Sequence, residues 1–451
     1  MGESLRAPGD LDRWPRSPVP HSAPAPAFRA RTAGWDLLLV CVAVYVATGV
    51  GRVHELFPVL LPLKPAVVAA VLAIVLYVLQ QSGLRRIDCL RSPTTTCVLG
   101  LLVWGALCVP TALNGGLAFA FWTGFARTVV MYLVVAGSVR NVRDVERLIL
   151  TYFAVTVVYT AVVLSRFELG ADSWRLGHLY YYDANDLATL IATAMPLGLY
   201  FVLASRRPLV RVLAIAGLAV LAIGQIRSGS RGGFLALLAV AAFVLLRFTT
   251  VPARSRLAGL AVILAVALAT ASDRYWVQIQ TIAHPHEDYN LTSEGGRMKI
   301  WQRGLGYIAD RPVLGVGGAN FQVAEGTISP LARLQEHGIG VHWGAAHNSF
   351  IQVGAELGIP GLLFFVGLIA TAFTSLRRVA RRAGRGAPSN GVPRLAQSLM
   401  AALVGFVVGA FFLSLAYTDM LYTLAAFAVG LWKVARADEP RRRPLSWPAR
   451  S

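Results

Sequence analysis

About twelve stretches of this chain are so apolar, and so nearly long enough to cross a bilayer, that they constrain the fold before any motif is read. A helix spans about 30 Å of hydrocarbon with roughly 17 to 25 residues. Runs approaching that length lie near Trp35–Val50, Ala66–Val78, Cys97–Leu113, Leu117–Gly137, Leu148–Leu164, Leu187–Ala204, Leu209–Ile226, Gly233–Leu246, Leu257–Ala271, Phe350–Leu376, Ser398–Tyr417 and Met420–Val434. They predict an all-α polytopic membrane protein of about twelve transmembrane helices. Composition agrees, since 56% of the 451 residues are hydrophobic, 14% are charged and the mean hydropathy is +0.58. A soluble globular surface does not tolerate that balance.

Charge orients the bundle, because cytoplasmic loops collect Lys and Arg. With both termini inside, most of the 42 basic residues fall on the cytoplasmic side. The +19 net charge then reflects topology anchors such as RRVARRAGRG at Arg377–Gly386 and PRRRP at Pro440–Pro444, and no nucleic-acid partner is expected. Residues 1–34 read as a disordered basic cytoplasmic tail, set too far before the first apolar run to be a signal peptide. Residues 35–434 read as the bundle and 435–451 as a second basic cytoplasmic tail. The cysteines, Cys41, Cys89, Cys97 and Cys108, form neither a disulfide framework nor a CxxC metal spacing.

One large external loop, residues 272–346, separates spans nine and ten. Loops of that length in compact proteins are mostly functional. Within it, Gly296–Ile308 sets Ile300, Trp301, Leu305 and Ile308 near one face at helical spacing, as an amphipathic helix on the membrane would. Asp310–Phe321 reads as turn and loop, and its GVGG lacks the GxGxxG dinucleotide spacing. Two further loops share the external side. Arg166–Ala188 holds Tyr180, Tyr181 and Tyr182 before DAND, either stacking on sugars or forming an interfacial aromatic belt, and IRSGSRGG at Ile226–Gly233 enters the eighth span.

Arg227 and Arg231 are four apart and would share a face if helical, small residues surround them, and a helix N-terminus follows. That set suits a phosphate or diphosphate, or it anchors a helix end. Arg297, after two glycines, is a second donor for the same anion or an ordinary interfacial arginine. His347 opens the tenth span, where the helix dipole favours neutral imidazole, able to accept a proton. Asn348, Gln352 and Glu356 follow at i, i+4 and i+8 as a polar stripe that must face the bundle interior. Arg127, inside the fourth span, also needs a partner, and Glu356 is one option. HPHED at His284–Asp288 is the one metal-like cluster, and the first external loop has only Glu55 as an acid, so no metal or other cofactor is expected.

His347, Asn348, nine intervening residues, then Gly358, two more and Gly361 resemble the signature of the O-antigen ligase and O-antigen polymerase superfamily of bacterial membrane glycosyltransferases. SGSRGG, GGRMKIW with DRPVLGVGGANF, and DANDLA, which has Ala184 in place of the commoner proline, are similar to that family's other patterns. The resemblance implies an inner-membrane enzyme that moves a glycan, outside the cytoplasm, from an undecaprenyl-diphosphate carrier to an acceptor hydroxyl. It implies Arg231 and Arg297 as diphosphate ligands and His347 as base, with glycan or lipid acceptors and other polysaccharide assembly proteins as partners. A polymerase of surface or exopolysaccharide repeat units is favoured, because no soluble acceptor-recognition domain is visible. A ligase delivering finished glycan to a lipid core is the alternative. A secondary transporter is the alternative of another class, although the polar residues gather on one face instead of at a midplane between repeats.

Overall fold

The computed structural model describes residues 34–80, 88–166, 175–176, 181–282, 293, 295–333, 343–383 and 391–437. The N-terminal tail to residue 33, Tyr180, His284–Asp288, the end of the 377–386 cluster and Pro440–Pro444 lie outside them. The chain divides into two units, Met1–Asp36 and Leu37–Ser451, and the bundle is the second.

The described residues form helices and no strand, because in hydrocarbon a helix satisfies its backbone polar groups within one segment. The bundle helices are α1 (Leu37–Gly49), α2 (Pro65–Gln80), α3 (Pro93–Cys108), α4 (Gly115–Ser138), α5 (Val142–Arg166), α6 (Ala184–Ala204), α7 (Pro208–Arg227), α8 (Arg231–Arg247) and α9 (Ala253–Thr270). Among the described residues four short helices follow, α10 (Asp273–Gln280), α11 (Arg297–Asp310), α12 (Phe321–Thr327) and the single turn Pro330–Arg333, before α13 (Ser349–Ala383), α14 (Gly391–Ala410) and α15 (Asp419–Ala437) complete the bundle. Eight of these helices are long and apolar enough to cross a membrane: α3 to α7 and α13 to α15. The helices α1 and α2 are apolar but shorter, and α8 and α9 stand where the eighth and ninth spans are expected.

The centre is built from α6, α14 and α15, whose apolar faces are the most buried of the spans. Small side chains let α6 and α14 pack closely: a Cβ on Gly405 would lie 3.0 Å from the Ala192 carbonyl oxygen. Close backbone approach of this kind drives helix association in lipid, where apolar burial gives little gain. Around this centre α7 and α8 flank α6 and α14, α13 packs on α3 and α14, and α4 packs on α15.

The tenth span is not the continuous helix expected over Phe350–Leu376. It breaks at Gly358, which adopts φ 69° and ψ −174°. The proline two residues later explains the break. Pro360 has no N–H for the Glu356 carbonyl, and the turn at Gly358 frees the carbonyls on either side. All three find outside donors: Val316 N–H reaches Ala355 O at 2.8 Å, Gly317 N–H reaches Glu356 O at 2.9 Å, and Trp104 Nε1 reaches Leu357 O at 2.8 Å. In return Ile359 N–H donates to Pro312 O at 2.7 Å. A Cβ at Gly358 would strike the Val313 carbonyl and one at Gly315, itself at φ 65°, the Glu356 backbone, so both positions require glycine. The DRPVLGVGG segment, turn and loop as expected, is the hydrogen-bonding partner of the broken helix.

Candidate functional site

The first part of α13 carries the polar stripe. Asn348 caps it, its Oδ1 accepting from Phe350 N–H at 2.9 Å and Ile351 N–H at 3.1 Å, as an Asn N-cap does. His347 therefore stands before the helix and not on its first turn, in a left-handed conformation with φ 47°, one that a non-glycine residue adopts at a cost. Glu356 is 2% exposed, and its Oε1 accepts from Phe321 N–H at 3.4 Å. Gln352 and Tyr417 face the same carboxylate. Glu356 Oε2, Gln352 Oε1 and Tyr417 Oη are buried without a hydrogen bond of ordinary geometry. The stripe thus faces protein. Glu356 does not pair with Arg127, which is exposed on α4.

The mouth is organised by the short connection between α14 and α15. Ser414 Oγ accepts from His347 N–H at 2.9 Å. Ser349 Oγ donates to Leu413 O at 2.7 Å and accepts from Leu415 N–H at 2.8 Å. Phe411 and Phe412 in the same connection pack on the Trp301 ring, with centroids 5.5 and 6.4 Å away. Trp301 Nε1 donates to Ala346 O at 3.0 Å. On the other flank, a Cβ on Gly232 would lie 3.2 Å from Phe412. Arg231 precedes Gly232, Arg297 lies one helical turn before Trp301, and His347 follows Ala346. The segments that carry these three residues therefore meet one four-residue support, through Gly232, Trp301 and the His347 backbone. No motif pointed to residues 411–414, which carry neither charge nor a signature.

Arg227 and Arg231 do not share a helix face. α7 ends at Arg227 and α8 starts at Arg231, with Ser228–Ser230 turning between them through Gly229 at φ 58°. Ser230 Oγ caps α8 by accepting from Gly233 N–H at 3.0 Å, and Gly233 serves packing against Ala188 and Gln225 rather than approach to a ligand. Arg231 Nη1 donates to Thr281 Oγ1 at 2.7 Å, tying α8 to the residue that follows α10. Behind this turn sits Arg175, which no pattern singled out. Its Nε donates to Ser228 O at 2.8 Å and its Nη2 to Asn185 Oδ1 at 3.0 Å. Asp183 caps α6 by accepting from Asn185 N–H and Asp186 N–H, each at 2.7 Å. The DAND stretch is thus a cap and a brace for the SGSRGG turn. Gln225, 3% exposed, has neither end of its amide bonded.

α11 is the helix expected over Gly296–Ile308. It packs on α13, with Ile300, Gly304 and Tyr307 buried, while Leu305 is exposed. It is fastened to α12 by a buried ion pair, Arg303 Nη2 to Glu325 Oε2 at 2.6 Å, with Arg303 Nε also donating to Glu325. Tyr307 Oη donates to Glu325 Oε1 at 2.8 Å, and burial pushes the Tyr307 phenol above its usual range, with the carboxylate adding to the effect. Of the tyrosine run, Tyr182 is buried and donates to Val50 O at 2.7 Å, and Tyr181 lies under the Arg52 guanidinium at 3.5 Å from its ring centroid. Tyr182 is a structural contact and not a sugar platform. Among the described residues no group of His, Cys, Asp and Glu could hold a metal ion.

A helical membrane protein with a polar stripe on a broken helix, and a loop stitched into that break, fits a membrane enzyme. Residues 216–366, from α7 into the second part of α13, match the family model described as O-antigen ligase. The chain carries an O-antigen ligase domain of the O-antigen ligase and polymerase superfamily, and that domain, about a third of the chain, contains Arg227, Arg231, Arg297, His347, Asn348, Gln352 and Glu356. It supports glycan transfer of the ligase or polymerase type in a membrane. No curated protein matches the chain.

Proposed function

We propose that the protein transfers a glycan from an undecaprenyl-diphosphate carrier to an acceptor hydroxyl on the outer face of the inner membrane, polymerising the repeat units of a surface or exopolysaccharide. The observation that supports this reading is that the segments carrying Arg231, Arg297 and His347 pack on residues 411–414, through Gly232, Trp301 and the His347 backbone. Guanidinium groups hold diphosphate oxygens bidentately and neutralise the charge that grows on the leaving group. Arg231 and Arg297 take that role, with Arg227 at the end of α7 adding to the field. His347 accepts the proton of the acceptor hydroxyl as its oxygen bonds to the anomeric carbon. The bond from that carbon to the carrier breaks, and its electron pair leaves with the diphosphate. Asn348, Gln352 and Glu356 support the base by shaping the helix behind it.

The deciding experiment is a deletion strain. For a polymerase, single carrier-linked repeat units accumulate and long chains vanish. Long polymer still bound to undecaprenyl diphosphate would assign the protein as a ligase to a lipid acceptor, and a defect in solute uptake with normal glycans would remove glycan transfer altogether.

A further inference from the structure

A groove lies at the other end of the bundle from the site proposed for glycan transfer. At the ends of α8 and α13 farthest from Arg231 and His347, a cavity of about 520 Å³ opens between α8, α13 and α14. Arg247, Arg377 and Arg381 line it, and all three are exposed. Arg377 and Arg381 are one helical turn apart on α13, and Arg247 closes α8, so two helices present guanidinium groups to one space. No aspartate or glutamate lines it among the described residues. Its neutral polar groups are already engaged: Gln397 Nε2 donates to Thr249 Oγ1 at 3.0 Å and Gln397 Oε1 accepts from Thr250 Oγ1 at 2.9 Å.

The remaining wall is apolar. Phe243 and Phe373 meet edge to face across the groove with centroids 6.0 Å apart, and Met400 lies behind them. Beyond Phe373 a second apolar cavity, about 460 Å³, continues along α13 and α14 toward Phe350. A cationic rim on an apolar trough open at the side of a membrane helix pair is the chemistry of a phospholipid with an anionic headgroup. A topology anchor needs only the arginines and gives no reason for the trough. We infer that this groove is a binding site for an anionic phospholipid, in the leaflet opposite the His347 face, with the phosphate at Arg247, Arg377 and Arg381 and an acyl chain along Phe243, Phe373 and Met400.

The test uses the purified full-length protein with dioleoylphosphatidylglycerol, dioleoylphosphatidylcholine and glycerol 3-phosphate as probes, read by native mass spectrometry and thermal unfolding. Each arginine near an anionic headgroup contributes about fivefold in affinity, so phosphatidylglycerol is expected to be retained at least about tenfold over phosphatidylcholine, and to raise the unfolding temperature. The triple variant R247Q/R377Q/R381Q loses that preference. Because removing three charges can disturb insertion, Ala380→Trp provides a second arm: it fills the trough, keeps every charge and is expected to lose the preference as well. Equal retention of the two lipids by the native chain, an undiminished preference in Ala380→Trp, or an equal shift from glycerol 3-phosphate alone would overturn the inference.

Discussion

Gly317 N–H donates at 2.9 Å to the Glu356 carbonyl, the acceptor that Pro360 leaves without its helical partner. This bond, with its neighbours at Val316 and Ile359, makes the loop after α11 part of the tenth span. The carboxylate of Glu356 faces Phe321 just beyond that loop, so the end of the polar stripe and the turn leading into α12 are held together.

Gly358→Ala should therefore disrupt more than one helix turn. The positive φ alone costs about 1–3 kcal/mol, and the new Cβ strikes the Val313 carbonyl. Thermal unfolding of the purified protein should fall and activity should be lost with it. Unchanged stability would mean that the loop is not fastened to α13.

Arg231→Lys keeps one positive charge and loses the forked guanidinium. Turnover should fall by roughly 10- to 100-fold while expression and insertion stay normal. Near-normal turnover would leave Arg231 with only its bond to Thr281.

His347→Asn isolates the base from the backbone. Asn tolerates the left-handed conformation at φ 47°, so the mouth should keep its shape while glycan transfer falls by roughly 100- to 10,000-fold. Binding of the lipid-linked donor should persist, and its loss would make His347 a ligand.

Glu325→Gln should loosen the joint between α11 and α12 without touching the reacting groups. Breaking a buried pair costs about 3–5 kcal/mol because the partner charge stays buried, and the Arg303 side chain is 10% exposed. Limited proteolysis between α9 and α13 should accelerate markedly, and Arg303→Lys should do so less.

Reporter fusions test the orientation on which the proposal depends. A fusion at Ala324 should report the outer side and one at Ala387 the cytoplasm. Exchange of the two signals would separate the site from its substrate.

The apolar runs located the helices because hydropathy is a property of each segment alone. The polar stripe was legible for the same reason: helical spacing and the cost of polarity in lipid are local rules. What escaped the sequence was every contact made between distant segments. The break in α13 needed a loop far upstream in the chain, as Pro312 and Ile359 show, and periodicity across Phe350–Leu376 reads as unbroken. Arg227 and Arg231 have helical spacing, but the Gly229 turn separates their helices. Arg175 and Ser414 carried no pattern, because a brace is defined by what it holds.

Residues 411–414 hang the mouth from α14 and α15, two of the most buried helices, rather than from the long loop. The distances among His347, Trp301 and Gly232 are inherited from the interior of the bundle. Selection for a new glycan can then redraw the parts of the loop between α9 and α13 that lie between α10 and α11 or between α12 and Ala346, while Arg297, Trp301, the turn at residues 310–317 and His347 stay in place. Libraries aimed at altered acceptor choice should collect their gains in those parts of the loop and exclude changes at Ser349 and Ser414.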